Sequence, residues 1–283
     1  MPRNAPRWTP EEEHGFQFSL RLRRSLDRMM DQANRVRRRR GTESVYQLVA
    51  GVHMNHAYVL QAGIHVLCRD GRPTAGLPVL RALLELLAGM LFIQQSESES
   101  KARRFIEFSA VLRYRDFGAL SELPQWRCDS ARQGLPAPVG AEIVEDYQAY
   151  CAQYCAQGQE PGHHWHGRTI RDLFASVGFD GPYKILYQPL CDAAHANVNA
   201  VSNHVVPVAG SSHAGIMINR GRTTTDARET LCQSCFLLIG MAQAWAKALQ
   251  LGDEAVARLN RRRIQWAQVF DKPLPDATQD PTV

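Results

Sequence analysis

The sequence lacks the short motifs that identify several common enzyme classes. Its 283 residues contain no GxxxxGK[ST] phosphate loop, no GxGxxG before a helix, no HExxH helix and no GxSxG elbow. The opening stretch MPRNAPRWTPEEEHGF also lacks the apolar core of a secretory signal. Seven cysteines, an odd number in a chain of this length, are most simply explained as reduced thiols, so we predict a cytoplasmic protein.

Sustained period-two alternation is also lacking, and no internal repeat is visible. Apolar residues instead recur at helical spacing. Helices are predicted over residues 11–40, 43–68, 77–95, 99–122, 141–157, 226–250 and 253–270, with a short one in TIRDLFASVG and another after the turn in FDGPYKILYQPLCDAAHANVNAV. The candidate strand is NHVVPVAG, where Pro207 argues against a central position in a sheet. We therefore predict an all-α multi-helix bundle.

Start and stop signals divide this pattern. Thr9 and Pro10 precede three glutamates and predict the start of a helix, and Thr169 is a predicted cap three residues before Asp172. The stretch RDGRPTAG predicts a break near residue 70. We expect an arginine-rich N-terminal helical arm over residues 1–40, a helical bundle over 41–270 and a flexible tail over 271–283.

Two segments approach the length of a membrane span. LPVLRALLELLAGMLFI is interrupted by Arg81 and Glu85, each costly at a bilayer centre. LCQSCFLLIGMAQAWAKALQL carries Gln233, Ser234 and Lys247 among other polar residues. Both are predicted to be buried helices, so we expect no transmembrane segment.

Lysine is scarce, with 4 residues against 29 arginines, and the positive charge is unevenly distributed. Residues 1–40 carry a net charge of +6, whereas the rest of the chain carries −1. Such a segment is suited to nucleic acid or another polyanion, although a solvated helix face is an equally ordinary use of charge. The arginines expected to contact nucleic acid are Arg21, Arg23, Arg24, Arg37, Arg38, Arg39 and Arg40.

A second arginine cluster, RLNRRRIQW, lies near the C-terminus. If the two clusters adjoin in space, they would form one basic face able to contact phosphates without sequence preference. No recognition-helix or base-stacking motif is present. The preferred hypothesis is therefore a nucleic-acid-associated accessory or defence protein that binds an anionic partner, the defence role being an expectation by analogy only.

Arg81 and Glu85 share one face of a helix that is apolar nearly all round. Burial of either charge requires partners, because desolvation is expensive. Asp192, His195 and Asn199 lie on one face of a later predicted helix and supply suitable groups. Arg81 would hold a phosphate while His195 or Glu85 moves a proton, which makes a phosphodiesterase or ribonuclease-like hydrolase an alternative function. A network that only fixes helix register, in a homo-oligomeric scaffold, is the other alternative.

Four stretches carry a family resemblance: PVLRALLELLAGMLFI, ARRFIEF, HWHGRTIRDL and YQPLCDAAHANVNA. Together they resemble a family of uncharacterised bacterial proteins known as a domain of unknown function, over most of residues 45–250. The resemblance implies a helical fold and a shared polar site, without an established activity. The positions that it implies are Arg81, Glu85, Trp165, Gly167, Tyr187 and His195. Cys191 stands where the family usually has serine.

The histidines and cysteines do not follow an established metal pattern. Cys151 and Cys155 lie one helical turn apart, and His163, His164 and His166 follow in a predicted loop. Because this is not a standard zinc spacing, we predict no metal and no cofactor. The CQSC stretch at 232–235 lies inside an apolar helix, so its cysteines are predicted to be buried and structural.

Overall fold

The computed structural model describes residues 7–40, 44–121, 139–194, 205–207, 216–218 and 226–272. Its first five helices are α1 Pro10–Arg40, α2 Val45–Arg69, α3 Pro73–Gln94, α4 Ser98–Glu107 and α5 Ser109–Ser121. They are followed by α6 Val139–Tyr154, α7 Ile170–Ser176, a helical turn α8 Asp180–Pro182, a π-helical segment Tyr183–Tyr187 and α9 Gln188–Ala194. The last two helices are α10 Ala227–Ala248 and α11 Asp253–Phe270. The all-α prediction is confirmed.

Side-chain hydrogen bonds cap the N-termini of several of these helices. Thr9 and Glu12 form a reciprocal capping box, with the Glu12 amide donating to Thr9 Oγ1 at 3.2 Å and the Thr9 amide to Glu12 Oε2 at 2.8 Å. The Asp172 amide donates to Thr169 Oγ1 at 3.1 Å, which confirms the predicted cap of α7. Glu99 of α4 accepts hydrogen bonds from the first two amides of α2, so a carboxylate also satisfies that end.

Two helix boundaries differ from the predictions. Gly71, with φ of 73°, turns the chain between α2 and α3, and α3 then begins at Pro73 rather than at Leu77. Proline is well suited to the first helical turn, because its missing N–H would have no partner there. The predicted helix over 99–122 is two helices, which meet at the buried residue Phe108.

Helix α3 forms the centre of the core. It packs against α2 and α10 and also contacts α4, α7 and α9. Leu80, Leu83, Leu84 and Met90 are fully buried, as a helix that is apolar all round requires. α3 is the helix of the described part that is long and apolar enough to span a membrane, and 61% of its most apolar window is buried inside the protein.

The arginine-rich helix α1 belongs to this core. Phe16, Phe18, Leu22 and Leu26 are 0–2% exposed, and α1 packs against α2, α10 and α11. The N-terminal segment is therefore built into the bundle from residue 10 onward, rather than lying outside it as an arm. The tail from residue 273 onward lies outside the described residues.

A short antiparallel pair of strands includes part of the candidate strand NHVVPVAG. Strand β1 Val205–Pro207 pairs with β2 Ile216–Ile218, and Pro207 lies opposite Ile216. NHVVPVAG thus contains a strand, and Pro207 occupies its last position, where a missing N–H is tolerated.

Candidate functional site

The charged pair of α3 is held by a tyrosine from the π-helical segment. Arg81 Nε donates to Glu85 Oε1 at 2.8 Å, and the Tyr187 hydroxyl donates to the same oxygen at 2.8 Å. The Arg81 guanidinium also lies over the Tyr187 ring, 5.2 Å from its centroid. The side chains of Arg81 and Glu85 keep 24% and 33% of their exposure, so the pair is accessible to solvent from one side.

The π-helical segment explains why Tyr187 reaches this pair. Its wider turn places Tyr183 and Tyr187 in a stack, with ring centroids 5.3 Å apart, against the buried ring of Phe174. Burial, followed by the hydrogen bond to Glu85, raises the pKa of Tyr187 well above its ordinary value. The phenol therefore stays protonated and donates at neutral pH. Short π-helical insertions of this kind are frequent at functional sites.

Cys191 is a neighbour of the same group. Its proximity adds to the effects that raise the pKa of Tyr187. Position 191, where the resembled family has serine, therefore lies beside the polar pair. Tyr187 and Cys191 are four positions apart on contiguous helical turns, so their contact is local. The sequence pattern did not predict the packing of α9 on α3, which brings this helical region to Arg81 and Glu85.

Of the other predicted members of the site, the structure describes Asp192 but not His195 or Asn199. Asp192 lies half-buried on α9, the helix that packs against α3. His195 and Asn199 lie outside the described residues, so their roles stay predictions. The partner that the structure brings to Glu85 is Tyr187, which the sequence reasoning named only through the family resemblance.

The two arginine clusters of the sequence meet on one surface. Arg21, Arg24 and Arg28 of α1 line a shallow cavity of about 560 Å³ together with Asp27 and with Arg262 of α11. We call the surface formed by Arg21, Arg24, Arg28, Arg258, Arg261 and Arg262 the arginine face. The spacing of the three α1 residues, i, i+3 and i+7, places them along one side of a helix.

Electrostatic repulsion within the arginine face is evident at Arg262. Burial lowers the pKa of this guanidinium, and the charges of Arg21, Arg28, Arg258 and Arg261 lower it further. Arg258 pairs with Glu254 at 2.8 Å, whereas Arg262 donates to the neutral amide of Gln265.

In the described part of the chain, Arg21, Arg24, Arg28, Arg261 and Arg262 form no ion pair. A face with so little compensating charge attracts anions.

The remaining predicted arginines lie elsewhere. Arg23 points toward α2, where its charge acts on Tyr58 and His65, and its Nε is buried without a hydrogen-bond partner. It is therefore not part of the arginine face. Residues 37–40 continue the backbone of α1, but their side chains lie outside what the structure describes. Arg28, Arg258, Arg261 and Arg262 were absent from the predicted set, although helical spacing would have selected Arg28.

The cysteine and histidine candidates do not form a metal site. Among the described residues, no three His, Cys, Asp or Glu side chains are placed to hold a metal ion. Cys151 is instead a neighbour of Tyr147 and Cys155. Cys232 and Cys235 are buried, as predicted, and burial raises the pKa of each thiol to about 12.

Comparison with known proteins identifies a family whose function is unknown. A family model described as a family of unknown function, DUF5677, matches residues 47–211, more than half of the chain. No curated protein and no solved structure matches the chain significantly. The matched range contains Arg81, Glu85 and Tyr187, whereas α1 and α11, which form the arginine face, lie outside it.

Proposed function

The chain belongs to DUF5677, a family of unknown function, and we propose that it binds nucleic acid through the arginine face. The observation that carries this proposal is the convergence of Arg21, Arg24 and Arg28 with Arg262 around one cavity. Guanidinium groups are good phosphate ligands because they donate several hydrogen bonds in a fixed plane. The protein would act as a nucleic-acid-associated accessory factor.

Charge balance supports a polyanion rather than a single small anion. The arginine face spans two helices, and its members repel one another, as the lowered pKa of Arg262 indicates. Phosphates spaced along a nucleic-acid backbone would neutralise several of these charges at once and release condensed counterions. The sequence contains no recognition-helix or base-stacking motif, so we expect little sequence preference.

The proposal is tested by fluorescence anisotropy with short labelled DNA duplexes and RNA strands of several sequences. Replacing Arg21, Arg24 and Arg28 by glutamine should weaken binding about tenfold or more, because three phosphate contacts are lost. Replacing Arg258, Arg261 and Arg262 by glutamine should have a comparable effect, since α11 supplies the other half of the face.

A matched control removes the same number of charges elsewhere. Arg103, Arg113 and Arg171 are exposed on α4, α5 and α7, and their joint replacement by glutamine should leave affinity nearly unchanged. Equal loss in this control would mean that net charge, not the arginine face, governs binding. Absence of binding by the unmodified chain would refute the proposal.

A second candidate function rests on the solvent access of the Arg81–Glu85 pair. We propose phosphodiester hydrolysis, with Arg81 holding a phosphate oxygen and Glu85 or His195 transferring a proton. Glu85→Gln and His195→Ala should abolish hydrolysis of a model phosphodiester while leaving the thermal unfolding midpoint unchanged. If both variants unfold, or if the unmodified chain has no activity, the pair is structural.

A further inference from the structure

The loop after α6 packs against a second cluster of polar side chains. The nucleic-acid binding proposed above does not depend on this cluster. Arg115 of α5 donates to the Pro161 carbonyl at 2.7 Å and to that of Gly162 at 3.1 Å. Trp165 packs edge-on against Phe105 and also contacts Phe92 of α3. These contacts hold residues 161–168 in one position.

Arg104 of α4 lies at the centre of this cluster without a carboxylate partner. Its Nε donates to the Tyr150 hydroxyl at 3.4 Å, and its guanidinium lies 5.6 Å from the centroid of the Tyr154 ring. Glu107, a nearby carboxylate, instead accepts a hydrogen bond from Tyr154 at 2.6 Å. No ion pair to Arg104 forms within the described ranges, so this half-buried cation is held by neutral groups.

Gly167 allows the loop backbone to approach the Arg104 guanidinium. Its φ is +67°, and a Cβ at this position would lie 3.1 Å from Arg104 Nη2. The side chain of any other residue would therefore press on the guanidinium. Glycine therefore suits this position, because it avoids both the strain of a positive φ and the close contact with the guanidinium.

Further cations surround Arg104. Lys101 and Arg168 both lie over the Phe92 ring, at 4.3 and 5.1 Å from its centroid. His166 is 5% exposed, and its ring lies 6.3 Å from that of Phe92 and 5.1 Å from that of His164. The His166 Nδ1 accepts from the Arg168 amide at 3.2 Å, so the neutral ring carries its proton on Nε2 and can donate from there.

The positive charges among these groups repel one another. Burial lowers the pKa of His166 to about 4, and the neighbouring His164, Arg104 and Arg168 contribute to that shift. Burial also lowers the pKa of Lys101, where Glu97 opposes the effect and Arg168 reinforces it. An anion among these groups would remove the repulsion. It would also accept charge-assisted hydrogen bonds in place of those made to neutral acceptors, such as the bond from Lys101 Nζ to the Phe92 carbonyl at 3.1 Å.

We propose that Arg104, His166, Arg168 and Lys101 bind a phosphate group, either as free phosphate or at the end of a small phosphomonoester. The four side chains come from two elements, α4 and the loop that contains Gly167, so an anion held by both elements would need acceptor oxygens on more than one side. A tetrahedral phosphate has that shape, whereas a carboxylate offers two oxygens in one plane. This site lies within the matched family range, apart from the arginine face.

The test is isothermal titration calorimetry of the full chain with inorganic phosphate, and separately with a nucleoside 5′-monophosphate and the nucleoside without phosphate. We expect both phosphate-bearing probes to bind and the nucleoside alone not to bind. Tighter binding of the monophosphate would identify a phosphomonoester as the ligand, and equal binding would identify free phosphate. Arg104→Gln should weaken phosphate binding about tenfold or more, as expected for loss of a charge-assisted hydrogen bond.

Two controls keep the outcome interpretable. Arg113→Gln removes an exposed arginine that pairs with Asp146 at 2.7 Å and should leave phosphate affinity unchanged. If Arg104→Gln does not fold by circular dichroism, Arg168→Gln decides, because Arg168 is exposed, and it should weaken binding several-fold. Absence of phosphate binding, unchanged affinity in every folded variant, or loss of binding on replacing Arg21, Arg24 and Arg28 would overturn the proposal.

Discussion

At the scale of single residues, Tyr187 determines the character of the Arg81–Glu85 pair. Its hydroxyl and the Arg81 guanidinium donate to the same carboxylate oxygen, so Glu85 lies between a neutral and a cationic donor. The hydrogen bonds and the partial exposure of Arg81 and Glu85 together offset the cost of desolvating them, which explains how an apolar helix accommodates two charges.

Gly167 offers a direct residue-scale prediction. Gly167→Ala should lower the free energy of unfolding by about 1–2 kcal/mol, because an L-residue is strained at a φ of +67° and its Cβ would press on Arg104. Urea unfolding followed by circular dichroism measures the change. Gly162→Ala, in the same loop with open space around its Cβ, is the control and should change stability by less than about 0.5 kcal/mol. Equal effects would contradict the account.

The sequence predicts the local contacts of these residues but not the contacts between distant parts of the chain. The i, i+4 spacing was enough to place Arg81 and Glu85 on one helix face, and their pairing is local. The contact with Tyr187 joins residues 102 positions apart and depends on a π-helical turn that no local pattern encodes. Arg104 and His166 were missed as a pair for the same reason, since only tertiary packing brings the loop onto α4.

At the scale of elements, α2 carries two histidines one turn apart with opposite surroundings. His53 is 2% exposed, and its Nδ1 donates a hydrogen bond to the Val49 carbonyl at 3.0 Å. The centroid of its ring lies 4.7 Å from that of Phe105. Burial lowers its pKa to about 4. His56 is exposed. These two histidines therefore allow a buried imidazole to be compared with a solvated one in the same helix.

This difference predicts an acid-dependent loss of stability. In the unfolded chain His53 binds a proton near pH 6.5, whereas in the folded chain it does so near pH 4, so its contribution is present above pH 6.5 and is lost as pH falls toward 4. The loss is on the order of 3 kcal/mol. Urea unfolding at neutral and acidic pH should show a smaller pH dependence for His53→Gln than for the unmodified chain.

The control for this prediction is His56→Gln, which should retain most of the pH dependence, because His56 is exposed and its charge makes the smallest contribution to the lowered pKa of His53. His65 and His166 have similarly lowered pKa values, so some dependence on pH should remain in His53→Gln. An identical pH dependence in all three proteins would show that burial of His53 does not affect the stability of the fold.

Helix starts were the most predictable feature at this scale. Thr9 and Thr169 are capping residues whose hydrogen bonds are local, and the sequence pattern identified both. The boundary between α4 and α5 was missed, because no glycine or proline marks Phe108 and the break depends on packing. The pairing of β1 with β2 was missed because the two strands are only three residues long and show no alternation.

At the scale of the whole molecule, the bundle brings together two charged segments from opposite ends of the chain. Each cluster was visible in the sequence, but whether the clusters adjoin depends on α1 and α11 packing side by side. The apolar residues Phe16, Phe18, Leu22 and Leu26 secure that arrangement by anchoring α1 in the core. The arginine face is therefore a consequence of the fold, and deleting residues 1–40 would expose the core as well as remove charge.

The salt dependence of nucleic-acid binding tests the proposed role of the arginine face most directly. The logarithm of the association constant for a short DNA duplex should fall linearly with the logarithm of salt concentration. Joint replacement of Arg21, Arg24 and Arg28 by glutamine should reduce the magnitude of this slope by about two to three, since each lost phosphate contact contributes about 0.9. The control lacking Arg103, Arg113 and Arg171 should keep the original slope. A flat slope in the unmodified chain, or an unchanged slope after loss of the three α1 arginines, would contradict the account.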